Sequence, residues 1–175
     1  MTSSLVLIVI GPDRPGIVDA LSTTIAAHGA NWLESRMAHL AGHFAGLLRV
    51  GVPDAHSAAL RRALRALESE GLRVLVEAGA ATEADAESRA FALELVGLDR
   101  PGIIRDVSRA LSLRGVNVEE LETSCESAAM SGETLFRARA HLRVPAGAEL
   151  EELRATLEKI AGELMVDLSL DDRSG

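Results

Sequence analysis

The sequence contains no tyrosine and few aromatics of any kind, three Phe and one Trp in 175 residues. Proteins that hold single-stranded nucleic acid stack bases on aromatic platforms, and this chain lacks the rings to build one. Positive charge is short as well: Lys and Arg number 18 against 26 Asp and Glu, for a formal net charge of −8. An acidic chain does not displace counterions from a phosphate backbone, so direct nucleic-acid binding is not expected. Cys125 is the single cysteine, which excludes an intramolecular disulfide and fits a reducing compartment. The opening MTSSLVLIVIG carries no basic segment, and its apolar run is too short for a signal core or a membrane-spanning helix. Together these absences lead us to expect a cytoplasmic protein that does not engage membranes.

Phosphate-binding and catalytic signatures are also missing. A Walker A loop needs Lys and then Ser or Thr after its last Gly, whereas Ile follows both Gly16 and Gly102. GPDRPG (11–16) has the wrong glycine spacing for a dinucleotide-binding turn. His39 and His43 flank an expected hairpin tip, with no third ligand to hold a metal. Cys125 and His141 lack an orienting third group. Arg61, Arg62 and Arg65, near Glu68 and Glu70, read as a solvated helix face. No cofactor, no metal and no enzymatic activity are expected.

What the chain does contain is a duplication. GPDRPGIVDALSTTIAAHGANWLE (11–34) aligns with GLDRPGIIRDVSRALSLRGVNVEE (97–120), sharing Gly, DRPGI, Ser, Gly, Asn and Glu in order. Farther on, Phe44 matches Phe136, and Val52-Pro53 matches Val144-Pro145. The offset grows from 86 to 92 residues, which places six extra residues within 122–135 of the second copy.

Each copy has the same pattern of elements. SLVLIVI (4–10) and RAFALELV (89–96) fit strands. A helix follows with Ile17, Val18, Leu21 and Ile25 on one face, or Ile103, Ile104, Val107 and Leu111, ended at Gly29 or Gly115. A hairpin comes next, turned at Ala41-Gly42 in copy one, with Phe136, Ala138, Ala140, Leu142 and Val144 sharing a face in copy two. A second helix (Leu60, Leu64, Leu67; Leu153, Leu157, Ile160) and a final strand (72–78; 164–170) close each copy. The order βαββαβ is ferredoxin-like, an antiparallel sheet with both helices on one face, in the α+β class. The expected division is 1–78 for the first domain, 79–89 for a small, acidic linker, and 90–175 for the second domain.

Strand alternation also predicts what the helix-free face of each sheet carries. In copy two that face holds Glu94, Arg137, Arg139, His141, Arg143 and Asp167, a solvated surface. In copy one it holds Val6, Ile8, Ile10, Ala45, Leu47, Arg49, Gly51 and Leu75. Monomers seldom expose such an apolar patch, so Val6, Ile8, Ile10, Leu47 and Leu75 are expected at an interface, most simply with a second subunit. A loop of the same chain, such as the longer 122–135 hairpin, is the other candidate cover.

The repeated DRPG is a strand-to-helix turn. Asp13 suits an N-cap, Pro15 the first helical turn, and Gly16 the close approach of another group. Capping alone accounts for these residue types; the functional alternative is that the free helix N–H groups bind an anion such as a carboxylate. Asn31 and Asn117 each begin the strand after the helix. Their amides could bond an amino acid at a paired unit, or simply satisfy loop backbone.

A βαββαβ unit with D-R-P-G-I after its first strand and G-x-N before its second resembles the ACT domain. Two such units over roughly residues 4–170, with Val-Pro closing each third strand, resemble the glycine cleavage system transcriptional repressor family. The resemblance implies amino-acid binding between paired units, by the first loop and the start of the second strand. The candidate residues are then Asp13, Arg14, Gly16, Ile17 and Asn31, and Asp99, Arg100, Gly102, Ile103 and Asn117. It also implies a regulator, oligomeric and responsive to a small amino acid such as glycine or serine, that contacts a transcriptional regulator rather than DNA. Trp32 stands beside Asn31 where Val118 stands beside Asn117, so the two sites need not share a ligand. A scaffold that no longer senses a ligand, and a freestanding regulatory subunit of an amino-acid enzyme, remain open.

Overall fold

The computed structural model describes residues 1–79, 88–127 and 132–173. Residues 80–87 of the expected linker and 128–131 of the longer hairpin lie outside these. The chain divides into two compact units, Met1–Thr82 and Glu83–Gly175.

The first unit runs β1 (Thr2–Pro12), α1 (Ile17–Ala27), β2 (Asn31–Leu40), β3 (His43–Pro53), α2 (Asp54–Ala66), a 3₁₀ turn (Leu67–Glu70) and β4 (Arg73–Ala78). The second runs β5 (Arg89–Leu98), α3 (Ile103–Ser112), β6 (Asn117–Ser127), β7 (Thr134–Val144), α4 (Leu150–Leu164) and β8 (Val166–Asp172). Each unit has one antiparallel four-stranded sheet, in the orders β2-β3-β1-β4 and β6-β7-β5-β8. The fold is therefore α+β, a tandem ferredoxin-like βαββαβ. Among the described residues no helix is long and apolar enough to cross a membrane.

Local chemistry sets the element ends. Helix α1 closes with Gly29 at φ 64°, Ala30 N–H bonding Ile25 O and Gly29 N–H bonding Ala26 O. Helix α3 ends the same way at Gly115, φ 67°, through Val116 to Leu111 and Gly115 to Ser112. Glycine enters this left-handed position without a Cβ penalty. Ala41 and Gly42, with φ 48° and 77°, form the two-residue turn between β2 and β3. The β6–β7 ladder is one pair longer, adding Ser127 opposite Thr134. The rest of the six-residue insertion therefore falls between those two strands.

Each sheet buries one face under its helices. In the first unit the core is Leu5, Leu7 and Val9 from β1, Leu48, Val50 and Val52 from β3, and Ile17, Leu21, Ile25, Leu60 and Leu64 from the helices. The second is built alike around Phe91, Leu93, Leu95, Leu142, Leu153 and Leu157. Two sequence expectations change here. Val18 is 48% exposed, because the buried stripe of α1 is the narrower Ile17–Leu21–Ile25 line. Arg61 is not part of a solvated face: its guanidinium donates to Val76 O at 2.8 Å and ties α2 to β4.

The helix-free faces match the expected contrast. On the first sheet Ile8, Ile10, Leu47 and Leu75 are 38–62% exposed. On the second, β7 presents basic side chains that meet acids on its neighbours: Arg139 on Glu94 (3.4 Å), His141 on Glu120 (2.9 Å) and Arg143 on Glu119 (2.6 Å).

Candidate functional site

The repeated phrase begins where the sheet is tightest. A Cβ on Gly11 would lie 2.7 Å from Gly71 O, and one on Gly97 would lie 2.9 Å from Val166 Cα. Only glycine fits between these backbones. Next, Asp13 N–H donates to Gly42 O at 2.9 Å, and Asp99 N–H to Thr134 O at 2.9 Å. Both bonds pin the loop to the tip of its unit's hairpin.

The first helix starts three residues later than the sequence suggests. Gly16 and Gly102 are the N-cap residues, left-handed at φ 90° and 99°, with no side-chain cap at either. Asp13 is therefore not an N-cap, and Pro15 precedes the helix instead of sitting in its first turn. A Cβ on Gly16 would meet nothing of the chain within 4 Å. Its φ is what requires glycine. The first helical bonds run from Ala20 N–H to Gly16 O (2.9 Å) and from Asp106 N–H to Gly102 O (3.0 Å). The N–H groups before them point off the helix end, which carries partial positive charge. Ile17 and Ile103, 3% and 2% exposed, anchor each start in its core.

The two starts then diverge. In the first unit Arg14 turns away to Glu70, donating to its O at 3.1 Å with its carboxylate at 3.6 Å. The helix start itself is left open. In the second unit Arg105 grips Asp106 at 2.8 and 3.2 Å. Its guanidinium lies 3.0 Å from where a Cβ on Gly102 would be. That hydrogen bond holds the Asp106 carboxyl below its ordinary value and raises Arg105. The matching residues of the first unit are Asp19 and Ala20, which form no such cover.

Asn31 and Asn117 are exposed at the opposite end of each sheet. Asn31 pairs with Gly51, which faces Ser4 of β1, whereas the DRPG loop leaves β1 at Pro12. At ~3.4 Å per residue the two ends are roughly 27 Å apart. Asp13, Arg14, Gly16 and Ile17 are thus brought together, as are Asp99, Arg100, Gly102 and Ile103, but neither loop meets its own unit's Asn. Trp32 lies on the other face of the sheet from Asn31. It packs on the helix side against the core, its Nε1–H 3.3 Å from Ser35 Oγ. In the second unit, where Val118 replaces it, that side has a small apolar groove lined by Ile104, Val107, Leu111, Val118 and Leu121.

Other sequence candidates separate. His39 pairs with Phe44 and His43 with Leu40, on opposite faces of the hairpin. No group of three metal-ligating side chains occurs among the described residues. Cys125 lies opposite Phe136, away from His141. Sequence reasoning missed Gly11, Gly97, Arg105 and Asp106. The first two are repeated in both copies and could have been singled out on that ground.

Residues 3–77 match the ACT domain family. A crystal structure of an unknown protein from Galdieria sulphuraria is 31% identical, with TM-score 0.85, covering 98% of this chain and 99% of that one. The chain belongs to the ACT domain family. A second crystal structure, of a candidate glycine cleavage system transcriptional repressor, superposes with TM-score 0.72 over 100% of this chain and 99% of its own. At 19% identity that likeness concerns the fold, the same tandem of ACT units. No curated protein matches the chain. In both ACT units the DRPG loop has the same pins, the same left-handed glycine and the same uncapped helix.

Proposed function

We propose that this is a cytoplasmic, non-enzymatic regulator with two ACT domains, 1–78 and 90–175, joined by 79–89. It senses a small amino acid, glycine or serine, and acts through protein contact in the manner of a glycine cleavage system transcriptional repressor. The ligand carboxylate sits at the open start of α1, bonded by N–H groups after Gly16, a favourable place for an anion. Because Asn31 lies at the far end of its own unit, its amide completes the site of the first unit in another copy of the chain. Binding then favours one arrangement of paired units, which a protein partner such as a transcriptional regulator reads. The net charge of −8 supports contact with that partner rather than with DNA.

The observation that carries this reading is the uncapped helix start, held the same way in both units. The Arg105–Asp106 pair favours a second reading for the second unit alone: a supporting domain that binds no ligand. Calorimetric titration of the intact chain with each of the twenty amino acids tests both. The expected result is saturable heat with glycine or serine, weakened ~10-fold or more by Asn31→Ala, the loss of ~1.4 kcal/mol or more. If Asn117→Ala leaves that heat unchanged, the second unit does not sense. Unchanged heat in both variants contradicts the assigned site.

A further inference from the structure

We infer that the helix-free face of the first sheet pairs with the same face of a second copy across a two-fold axis. Its central row, across four strands, is Leu75, Ile8, Leu47 and Arg36. The row on one side is Arg73, Ile10, Ala45 and Ala38; on the other it is Glu77, Val6, Arg49 and Glu34.

An axis along the central row and perpendicular to the strands exchanges the outer rows. Leu75, Ile8 and Leu47 then meet their own copies, as does Arg36 at the exposed edge of the patch. Arg73 faces Glu77 of the partner subunit, and Glu77 faces Arg73 of the partner subunit. A self-complementary surface of this kind is what a two-fold contact requires. Arg49 and Glu34 already neutralise one another at 3.2 Å on the rim, and Arg36 ends the central row on the edge strand.

The matching face of the second ACT unit is not a complement for this surface. Pressing Leu47 and Leu75 onto Arg139, His141 and Arg143 would strip water from charges and return no apolar contact. Size also fits a second copy. Five residue rows spaced ~6.8 Å on β1, β2 and β3 and three on β4, with strands spaced ~4.8 Å, give roughly 600 Å² per copy. The pair therefore buries about 1,200 Å² in projection, the lower end of a specific interface. Sheets packed face to face in this way sit about 10 Å apart with their side chains interleaved.

This inference is separate from ligand sensing: sedimentation tests it, and the titration above tests the other. Sedimentation equilibrium of the intact chain at about 10 µM is expected to give a dimer. Arg73→Glu sets like charges opposite each other twice and should weaken association ~10-fold or more. The double variant Arg73→Glu/Glu77→Arg restores opposite charges and should recover the dimer, a rescue that misfolding cannot mimic. Leu47→Glu should give monomers with unchanged circular dichroism. A monomeric parent, or a double variant as weak as Arg73→Glu alone, overturns the proposal.

Discussion

Phe91→Ala is expected to destabilise the second ACT unit by about 3–5 kcal/mol, the usual loss for a buried aromatic emptied to a methyl. Phe91 is 1% exposed and is among the largest wholly buried side chains of the chain. It stands on a central strand of its sheet, opposite Leu142 on β7, with the Arg89 guanidinium carbon 5.4 Å from the ring centroid. Neither side of that position can close up: the sheet is hydrogen-bonded on both flanks, and Leu153 and Leu157 are held by α4. A domain of this size holds only ~5–15 kcal/mol in all, so the loss is a large share. Urea titration followed by circular dichroism checks it. Leu113→Ala, at a residue 75% exposed, should move the transition by less than about 0.5 kcal/mol. Equal shifts for the two variants would contradict the assigned core.

Gly97→Ala carries the second large effect, about 1–3 kcal/mol destabilising. The added methyl would meet Val166 Cα at 2.9 Å, a backbone atom that cannot rotate away. Relief requires β8 to move from β5 just where the DRPG loop begins, so the variant also disturbs the helix start. Gly162→Ala in α4 provides the contrast. Nothing lies within 4 Å of a Cβ there, and removing a helical glycine stabilises by ~0.5–1 kcal/mol. The two glycine-to-alanine changes should therefore shift the urea midpoint in opposite directions. A stabilised Gly97→Ala would mean that the close approach is not real.

Much of this was legible because the chain is written twice. The βαββαβ order, the Gly29 and Gly115 helix ends, the Ala41-Gly42 turn and the contrast between sheet faces all follow from local periodicity. Two-residue alternation placed Leu47 and Leu75 with Ile8 before any register was known. What escaped was long-range or conformational. Gly11 must be glycine because of Gly71, sixty residues later, and no local pattern records that approach. Asp13 looks like a cap by residue type, but the left-handed Gly16 takes the position, which depends on backbone geometry. Arg61 reads as solvated by its neighbours in sequence, yet it bonds β4. The separation of Asn31 from its own unit's DRPG loop follows from strand direction, and the proposed site draws on two units, as the resemblance to the ACT domain had implied.

The central claim is that the open helix start after Gly16 holds the carboxylate of a small amino acid. Amide chemical shifts of the intact chain, followed by NMR while glycine and then serine are added, test it most directly. The account predicts saturable shifts at Gly16, Ile17, Val18 and Asp19, with the Asn31 side-chain amide moving in the same titration. Saturable shifts confined to other residues, or none at concentrations where the chain stays folded, would contradict it.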